Sequence, residues 1–135
     1  MIRKGRLADI PAILDIGDQA VATVAVDQTP VNRQKASGLL RKAVNHALMD
    51  LFVAEVDGKV VGFVVAMVND QWYNDDKYVT DLAFCTAKGY EDQAVWLFRR
   101  LYRWSRERGL PMLMATNAGG DRAERTGAMY EAHGL

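Results

Sequence analysis

The chain has 135 residues, which is enough to bury one core and too few for two domains, so we expect a single domain over residues 1–135. Its 17 basic and 17 acidic residues cancel, and this balance gives no reason to expect nucleic acid or a membrane as a partner. With 50% hydrophobic and 25% charged residues, the composition is that of an ordinary globular domain.

The chain holds a single cysteine, Cys85. No disulfide can form within it, and a reducing compartment is the simplest interpretation. The opening MIRKGRLADIP carries charges every few positions and lacks the apolar core of a signal peptide. No apolar run approaches the ~20 residues of a membrane span. The sequence therefore predicts a cytoplasmic protein.

The first half of the chain predicts a strand, two helices and a hairpin. A short strand over residues 2–6 precedes Asp9, whose side chain is expected to cap the first helix. Apolar residues at helical spacing predict a second helix that continues to Leu48 and includes His46. Residues 51–68 are two β-branched runs joined at Asp57-Gly58, a dipeptide that favours a tight hairpin turn.

The second half predicts an exposed loop and then alternating strands and helices. The polar, acidic and aromatic residues 69–77 suit the loop. The expected elements are a strand over 78–86, a helix over 92–108 ended by Gly109, a strand over 110–116 and a helix over 122–132. The buried side of helix 92–108 is expected to hold Val95, Leu97, Phe98, Leu101, Tyr102 and Ser105. The fold class is therefore mixed α/β, a mostly antiparallel sheet of about five strands flanked by about four helices.

Several classes of site are absent from the sequence. With His46 and His133 as the only histidines and no GxSxG motif, no serine or cysteine nucleophile constellation can be assembled. One cysteine and two histidines give no metal-ligand spacing, so no metal is expected. Neither GxxxxGK[ST] nor GxGxxG occurs.

Four segments occur in an order that is known from one family. They are IRKGRLADIPAI, VAEVDGKVVGFVVAMV, LAFCTAKGYEDQAVWLFRRLYRWSRERGL, and MLMATNAGG with AMYEAHGL. In this order they resemble the first strand and capped helix, strands two and three, strand four with the acetyl-CoA helix, and strand five with the closing helix of the GNAT superfamily of N-acetyltransferases. The resemblance covers essentially the whole chain and implies a GNAT-like fold with acetyl-CoA as co-substrate.

The resemblance also implies where acetyl-CoA binds. In that family the pantetheine arm lies where strands four and five splay apart, and the turn after strand four holds the pyrophosphate on main-chain N–H groups. Tyr130 matches the tyrosine that protonates the departing thiolate. The implied cofactor-binding residues are Leu82, Ala83, Phe84, Cys85, Thr86, Lys88, Gly89, Tyr90, Gln93, Ala94 and Asn117.

The sequence departs from the family at the pyrophosphate turn, R/Q-x-x-G-x-G/A. Gly89 takes the position of Arg or Gln, Asp92 takes that of the first glycine, and Ala94 occupies a position where alanine is permitted. Glu91 and Asp92 either repel the diphosphate, at a cost of about 1 kcal/mol or more, or cap the helix over an empty turn, stabilising it by ~0.5 kcal/mol each. The sequence leaves both interpretations open.

A second departure is that the family continues into strands six and seven, whereas this sequence ends at Gly134-Leu135. The fold is therefore expected to lack the family's last strands. Strand five would then be an open edge, and we expect self-association or a partner protein to cover it.

The remaining chemistry is assigned to side chains near the expected cleft. Asp81 and Glu55 are the candidate bases that free the attacking amine, and main-chain N–H groups near residues 84–86 would polarise the thioester carbonyl. Trp72 and Tyr73, next to two aspartates in the acidic loop, are candidate contacts for a cationic acceptor.

Two functions remain open from the sequence. The first is an acetyl-CoA-dependent N-acetyltransferase that acts on an amine of a small molecule, peptide or protein by direct attack. The second is a GNAT-like fold that has lost the cofactor and serves as an interaction or structural protein, such as a phage-type accessory protein. The motif with Tyr130 favours the first, and the acidic turn favours the second.

Overall fold

The computed structural model describes residues 1–24 and 31–114. Within them the predicted mixed, mostly antiparallel α/β fold is confirmed, with four strands where about five were expected. The predicted helix over 122–132 lies outside the described residues. The described elements are β1 (Ile2–Lys4), α1 (Ile10–Val24), α2 (Arg33–Val44), β2 (Met49–Val56), β3 (Lys59–Asp70), β4 (Lys77–Thr86) and α3 (Gln93–Glu107).

The strands form one sheet in the order β1-β2-β3-β4, and all neighbours are antiparallel. The predicted hairpin is confirmed as β2 and β3, joined at Asp57 and Gly58 with φ angles of 52° and 77°. Two positive φ values in succession match the right-handed twist of the flanking strands. The hairpin therefore supplies the centre of the sheet from one continuous stretch of sequence.

Helices cover both faces of the sheet and divide the core in two. On one face, α1 and α2 pack against β2 and β3 around Leu51, Val53 and Val65. On the other face, α3 packs against β2, β3 and β4 around Phe52 and Val64. Because successive strand residues point to opposite faces, the apolar runs of β2 and β3 fill both cores at once.

The start of α1 differs from the prediction. Asp9 ends a short 3₁₀ turn (Leu7–Asp9) that leads directly into α1. Its carboxylate accepts hydrogen bonds from the Arg3 guanidinium at 2.8 and 2.9 Å and from the Arg6 backbone N–H at 2.7 Å. Asp9 therefore takes part in a capping box with Arg6 at the start of the 3₁₀ turn and is not the N-terminal cap of α1 itself, and its carboxylate also binds Arg3 of β1. Arg3 also donates to Glu55 at 3.1 Å, which ties β1, β2 and the 3₁₀ turn together.

The second helix ends earlier than predicted. It stops at Val44, with Asn45 as the C-terminal cap, and Leu48 is 47% exposed. The prediction that His46 lies inside the helix is wrong, since the imidazole Nδ1 accepts the Leu48 N–H at 3.0 Å in the turn before β2. Ala47 and Leu48, which continue the apolar spacing of the helix, thus belong to the turn before β2.

The third helix has the predicted extent to within one residue at each end but a different buried side. Tyr102 is 36% exposed, whereas Trp104, which the prediction omitted, is 3% exposed in the core against the sheet. The predicted helix end is confirmed, because Gly109 donates to the Arg106 carbonyl and Leu110 to the Ser105 carbonyl. This pair of bonds is the usual glycine-terminated helix end.

The predicted fifth strand is described only at its beginning. Met112 makes a single parallel bridge to Val79 of β4, with hydrogen bonds of 2.9 Å on both sides of Val79, from its N–H to the Pro111 carbonyl and to its carbonyl from Leu113 N–H. The described chain ends two residues later, at Met114. The edge at which we expected a partner or a second copy therefore lies outside the described residues.

Asp9→Asn should destabilise the fold by roughly 2 kcal/mol at pH 7, because it takes from the largely buried Arg3 guanidinium the carboxylate that accepts two of its hydrogen bonds and leaves Glu55 as its charged partner. Arg3 and the Arg6 N–H hold the pKa of Asp9 below its ordinary value of 3.8. The stabilisation is therefore fully present above pH 4 and is lost as pH falls through the folded-state pKa. Urea unfolding at pH 7 and pH 3 measures both effects. Asp76→Asn, on an exposed loop aspartate, is the control, and an equal loss at both pH values would contradict the mechanism.

Candidate active site

A β-bulge interrupts β4 at Leu82. In the pairing with β3, Ala83 lies opposite Val65 and Asp81 lies opposite Ala66, so Leu82 has no residue opposite it. The Leu82 side chain is 46% exposed. A bulge bends its strand and redirects the neighbouring side chains, and bulges recur beside active sites. The middle of β4 is therefore the first place to search for chemistry.

The bulge exchanges the faces on which β4 presents its side chains. Before it, Val79 packs on the α3 side, and the register puts Asp81 on that same face, opposite buried Ala66. After it, Ala83 and Cys85 pack on the α1 and α2 side. In the sequence, the alternation breaks between polar Thr80-Asp81 and the apolar run that follows, but this break does not identify which residue is added.

Strand β4 and the segment around Met112 lie side by side at the parallel bridge between Val79 and Met112. This is the sole parallel bridge among the described residues, and it lies at the N-terminal side of the bulge. A bulge bends its own strand, and the neighbouring segment is described as far as Met114. Asp81 and Leu82 thus lie just past the bridge on β4, where strands four and five are expected to separate.

A tight turn joins β4 to α3. Tyr90 N–H donates to the Ala87 carbonyl at 3.0 Å, and Gly89 between them has a φ of 89°, which an L-residue with a side chain rarely adopts. The N–H groups of Tyr90, Gln93 and Ala94 all donate to backbone carbonyls three residues earlier. Within residues 1–24 and 31–114, the N–H groups of Lys88, Gly89 and Asp92 have no backbone acceptor. They are candidate donors to an anion.

The charges around this turn are mixed. Lys88 is exposed beside Gly89, while Glu91 and Asp92 stand at the N-terminus of α3. Asp92 has an ordinary helical backbone, with φ of −62° and ψ of −23°, and its side chain makes no capping hydrogen bond. The interpretation of Asp92 as a helix cap is therefore wrong. Its carboxylate remains a negative charge beside the donors of the turn.

Cys85 lies beyond the bulge with its side chain in the core against α1 and α2. Burial raises the pKa of the Cys85 thiol, and the charge of Asp81 raises it further. Because the thiolate is the reactive form, this cysteine is an inert packing residue.

The structure does not bring Glu55 together with Asp81. On β3, Glu55 lies opposite Val60 and Asp81 opposite Ala66, so about six residues, or roughly 20 Å, separate them along the sheet. Glu55 instead accepts a hydrogen bond from Arg3 at 3.1 Å. Of the two candidate bases, only Asp81 stands beside the bulge.

The two aromatic candidates for acceptor binding stand away from the bulge. Trp72 and Tyr73 are 93% and 63% exposed in the loop before β4. β4 begins at Lys77, five residues before Leu82, so the loop lies about 17 Å or more from the bulge along the strand. A small acceptor that reacts at the bulge does not reach them.

Asn117 and Tyr130 lie outside the described residues. In the part of the chain that the structure describes, no three His, Cys, Asp or Glu side chains are grouped so as to hold a metal ion. None of the described helices has the length and apolarity needed to cross a membrane.

No protein-family model and no curated protein sequence matches the chain. Solved structures do match. A predicted acetyltransferase from Clostridium acetobutylicum, crystallised with acetyl-CoA, has a TM-score of 0.76 at 13% identity, over 100% of this chain and 88% of the other. Ribosomal-protein-alanine N-acetyltransferase from Brucella melitensis has a TM-score of 0.73 at 22% identity, over 99% and 83%.

An aminoglycoside acetyltransferase from an uncultured soil metagenomic sample, in complex with sisomicin, has a TM-score of 0.70 at 13% identity, over 100% of this chain and 87% of that one. All three neighbours are acetyltransferases, and each is similar to this chain over nearly its whole length. These similarities show that the chain has the fold of these acetyltransferases, which is the GNAT-like fold expected from the sequence.

Proposed function

We propose that the protein is an N-acetyltransferase that uses acetyl-CoA as co-substrate. The observation that carries the proposal is the bulge at Leu82 next to the parallel bridge between Val79 and Met112. A wedge between two strands offers main-chain groups to an extended, amide-rich arm such as pantetheine. The donors of the turn after β4 stand where the arm's phosphates would follow.

The reaction is direct transfer of the acetyl group. The nitrogen of a neutral amine attacks the thioester carbonyl carbon, the C–N bond forms, and the C–S bond breaks with its electron pair going to sulfur. The amine loses one proton and the CoA sulfur gains one, so the step needs a base and an acid. Main-chain N–H groups near residues 84–86 would stabilise the charge that develops on the carbonyl oxygen.

Asp81 is the base that we propose for this step, because it stands next to the bulge and near the parallel bridge. Its carboxylate would accept the proton that the amine nitrogen loses as the C–N bond forms, directly or through one water. Tyr130, assigned from its motif, is the proposed acid for the thiolate. Glu55 has no part in this proposal, since it pairs with Arg3 elsewhere in the sheet.

One observation favours the second candidate function, a GNAT-like fold without cofactor. The Asp92 carboxylate stands at the helix N-terminus without a capping bond, where an anionic ligand would have to displace or tolerate it. A protein that binds no diphosphate has no need to remove this charge. The two candidates therefore differ in one measurable property, the affinity for CoA.

Calorimetric titration of acetyl-CoA into the purified chain should give a dissociation constant in the micromolar range, supported by a ligand-dependent rise in melting temperature. Desulfo-CoA tests the same site without the reactive thioester. Absence of heat and of any thermal shift at millimolar ligand would reject the enzyme and favour the interaction protein.

Asp92→Asn should tighten CoA binding about three- to tenfold, because it removes one negative charge beside the diphosphate and keeps the shape of the side chain. The helical backbone at Asp92 tolerates asparagine. The gain in CoA affinity should be smaller in 0.5 M salt, because salt screens the charge of Asp92. Asp76→Asn, which removes the same charge in a distant exposed loop, should leave the affinity unchanged. Equal affinities for wild type and Asp92→Asn at low salt would show that the turn does not hold the phosphates.

Asp81→Asn should lower kcat by about 10²-fold or more while CoA affinity changes little, because the base acts in the reaction and not in cofactor binding. Tyr130→Phe should show the same pattern for the acid. Release of the CoA thiol, with an aminoglycoside and a peptide with N-terminal alanine as first acceptors, measures turnover. Glu55→Gln is the control, for which we expect lower stability at nearly unchanged kcat. A greater loss of kcat in Glu55→Gln than in Asp81→Asn would contradict the assignment.

A further inference from the structure

The exposed side of α3 carries an unusual combination of aromatic and basic side chains, which we name the arginine face. Its members fall within about a third of the helix circumference. Arg99 lies over the Trp96 ring at 5.1 Å, and Arg106 lies over the Tyr102 ring at 5.8 Å and donates to its hydroxyl at 3.3 Å. The arginine face consists of Trp96, Arg99, Tyr102, Arg103 and Arg106.

None of these five residues belongs to the core clusters formed by residues 1–24 and 31–114, and none takes part in the proposed reaction. Trp96 is 48% exposed although it is a large apolar side chain. The face carries three arginines, of which Arg103 lies 3.6 Å from the Glu107 carboxylate. Arginine and aromatic residues are the types enriched at protein interfaces. The arginine face is thus suited to an acidic partner that also offers aromatic rings.

The loop before β4 has the complementary composition, and we name residues 71–76 the acidic loop. Trp72 and Tyr73 stand edge to face with ring centroids 5.3 Å apart and are largely exposed. Asp70 and Lys77, which flank the loop, pair with each other at 2.9 Å. Asp75 and Asp76 therefore give the loop its net negative charge.

The acidic loop has a defined shape. Gln71 N–H donates to the Asp76 carbonyl at 2.9 Å and closes the loop, and Asp76 N–H donates to the Asn74 side chain at 2.8 Å. Two aromatic rings held at the tip of a closed loop lose little conformational entropy when a partner covers them. Both rings of the acidic loop are exposed to solvent in a single copy, so a partner can cover them.

We propose that the acidic loop of one copy docks on the arginine face of a second copy, and that a two-fold pair makes this contact twice. Each copy supplies one acidic and one basic surface, as a self-complementary interface requires. Four loop aromatics at 150–250 Å² each would bury roughly 600–1,000 Å², and the surfaces that they cover add a similar area, which together reaches the size of a stable interface. Because acidic and basic residues cancel over the whole chain, its net charge gives no indication of this complementarity.

The test is the mass of the full chain in solution, measured by sedimentation velocity at 5–200 µM protein in 50 mM and 500 mM NaCl. We expect a monomer–dimer equilibrium whose dissociation constant rises at least tenfold at the higher salt, since the contact pairs opposite charges at a surface. A wild-type chain that stays monomeric at 200 µM in 50 mM NaCl would overturn the proposal.

Charge reversal identifies the two surfaces. The loop variant D75R/D76R and the face variant R103E/R106E should each weaken self-association at least tenfold, because like charges then meet in both contacts. An equimolar mixture of the two variants should associate, since acidic face meets basic loop and acidic loop meets basic face. The chain that combines all four substitutions should dimerise on its own for the same reason.

The control variant K35E/K42E reverses two exposed charges on α2 and should dimerise as the wild type does. Circular dichroism establishes that each variant is folded. Association in the mixture requires both variants to be folded, so it also excludes unfolding as the reason why each variant alone fails to associate. Association that survives both reversals, or a four-substitution chain that fails to dimerise, would place the contact elsewhere and refute the proposal. Binding of an oligonucleotide to the arginine face of a chain that stays monomeric would also refute the proposal.

Discussion

The rest of the structure depends on the pairing of β3, a 12-residue strand that is bonded along both edges and covered on both faces. Its buried side chains from Phe63 to Ala66 alternate between the two cores. A one-residue slip would move every one of them to the opposite core. The irregularities in the pairing lie outside or opposite this fixed stretch: Val61 of β3 has no residue opposite it on β2, and Leu82 of β4 has none opposite it on β3. The candidate active site lies beside the second of these two bulges.

Elements with strong local signals could be predicted from the sequence, and features set by tertiary contacts could not. The hairpin follows from Asp57-Gly58 between β-branched runs, and α3 follows from its apolar period and Gly109. The partners of Asp9 could not be inferred, because they depend on how β1 lies against the 3₁₀ turn. Ala47 and Leu48 fit the helical period, yet the chain has already turned towards β2, where Val68 N–H bonds to the Leu48 carbonyl.

The candidate site was predictable in its parts but not in its geometry. The order of strand four, the turn and α3 followed from the sequence. The bulge could not be located from the sequence, because one extra residue leaves the composition of β4 that of an ordinary strand. Only the pairing with β3 shows that Leu82 is the added residue and that Asp81 and Glu55 stand far apart. The acceptor has no comparable signal. Neighbours with the same fold are named for an aminoglycoside in one case and a ribosomal-protein alanine in another, so the fold alone does not select it.

The sheet separates two cores that belong to different helices, and this separation has a consequence for how substitutions combine. Changes in side chains more than 7–10 Å apart with no shared partner usually have additive effects on stability. Substitutions beneath α1 and α2 should therefore combine independently with substitutions beneath α3. Ala87 is the exception, since it is the side chain that packs against both clusters of the described core. It is also the first residue of the turn into α3, so repacking of either core is transmitted to that turn through Ala87.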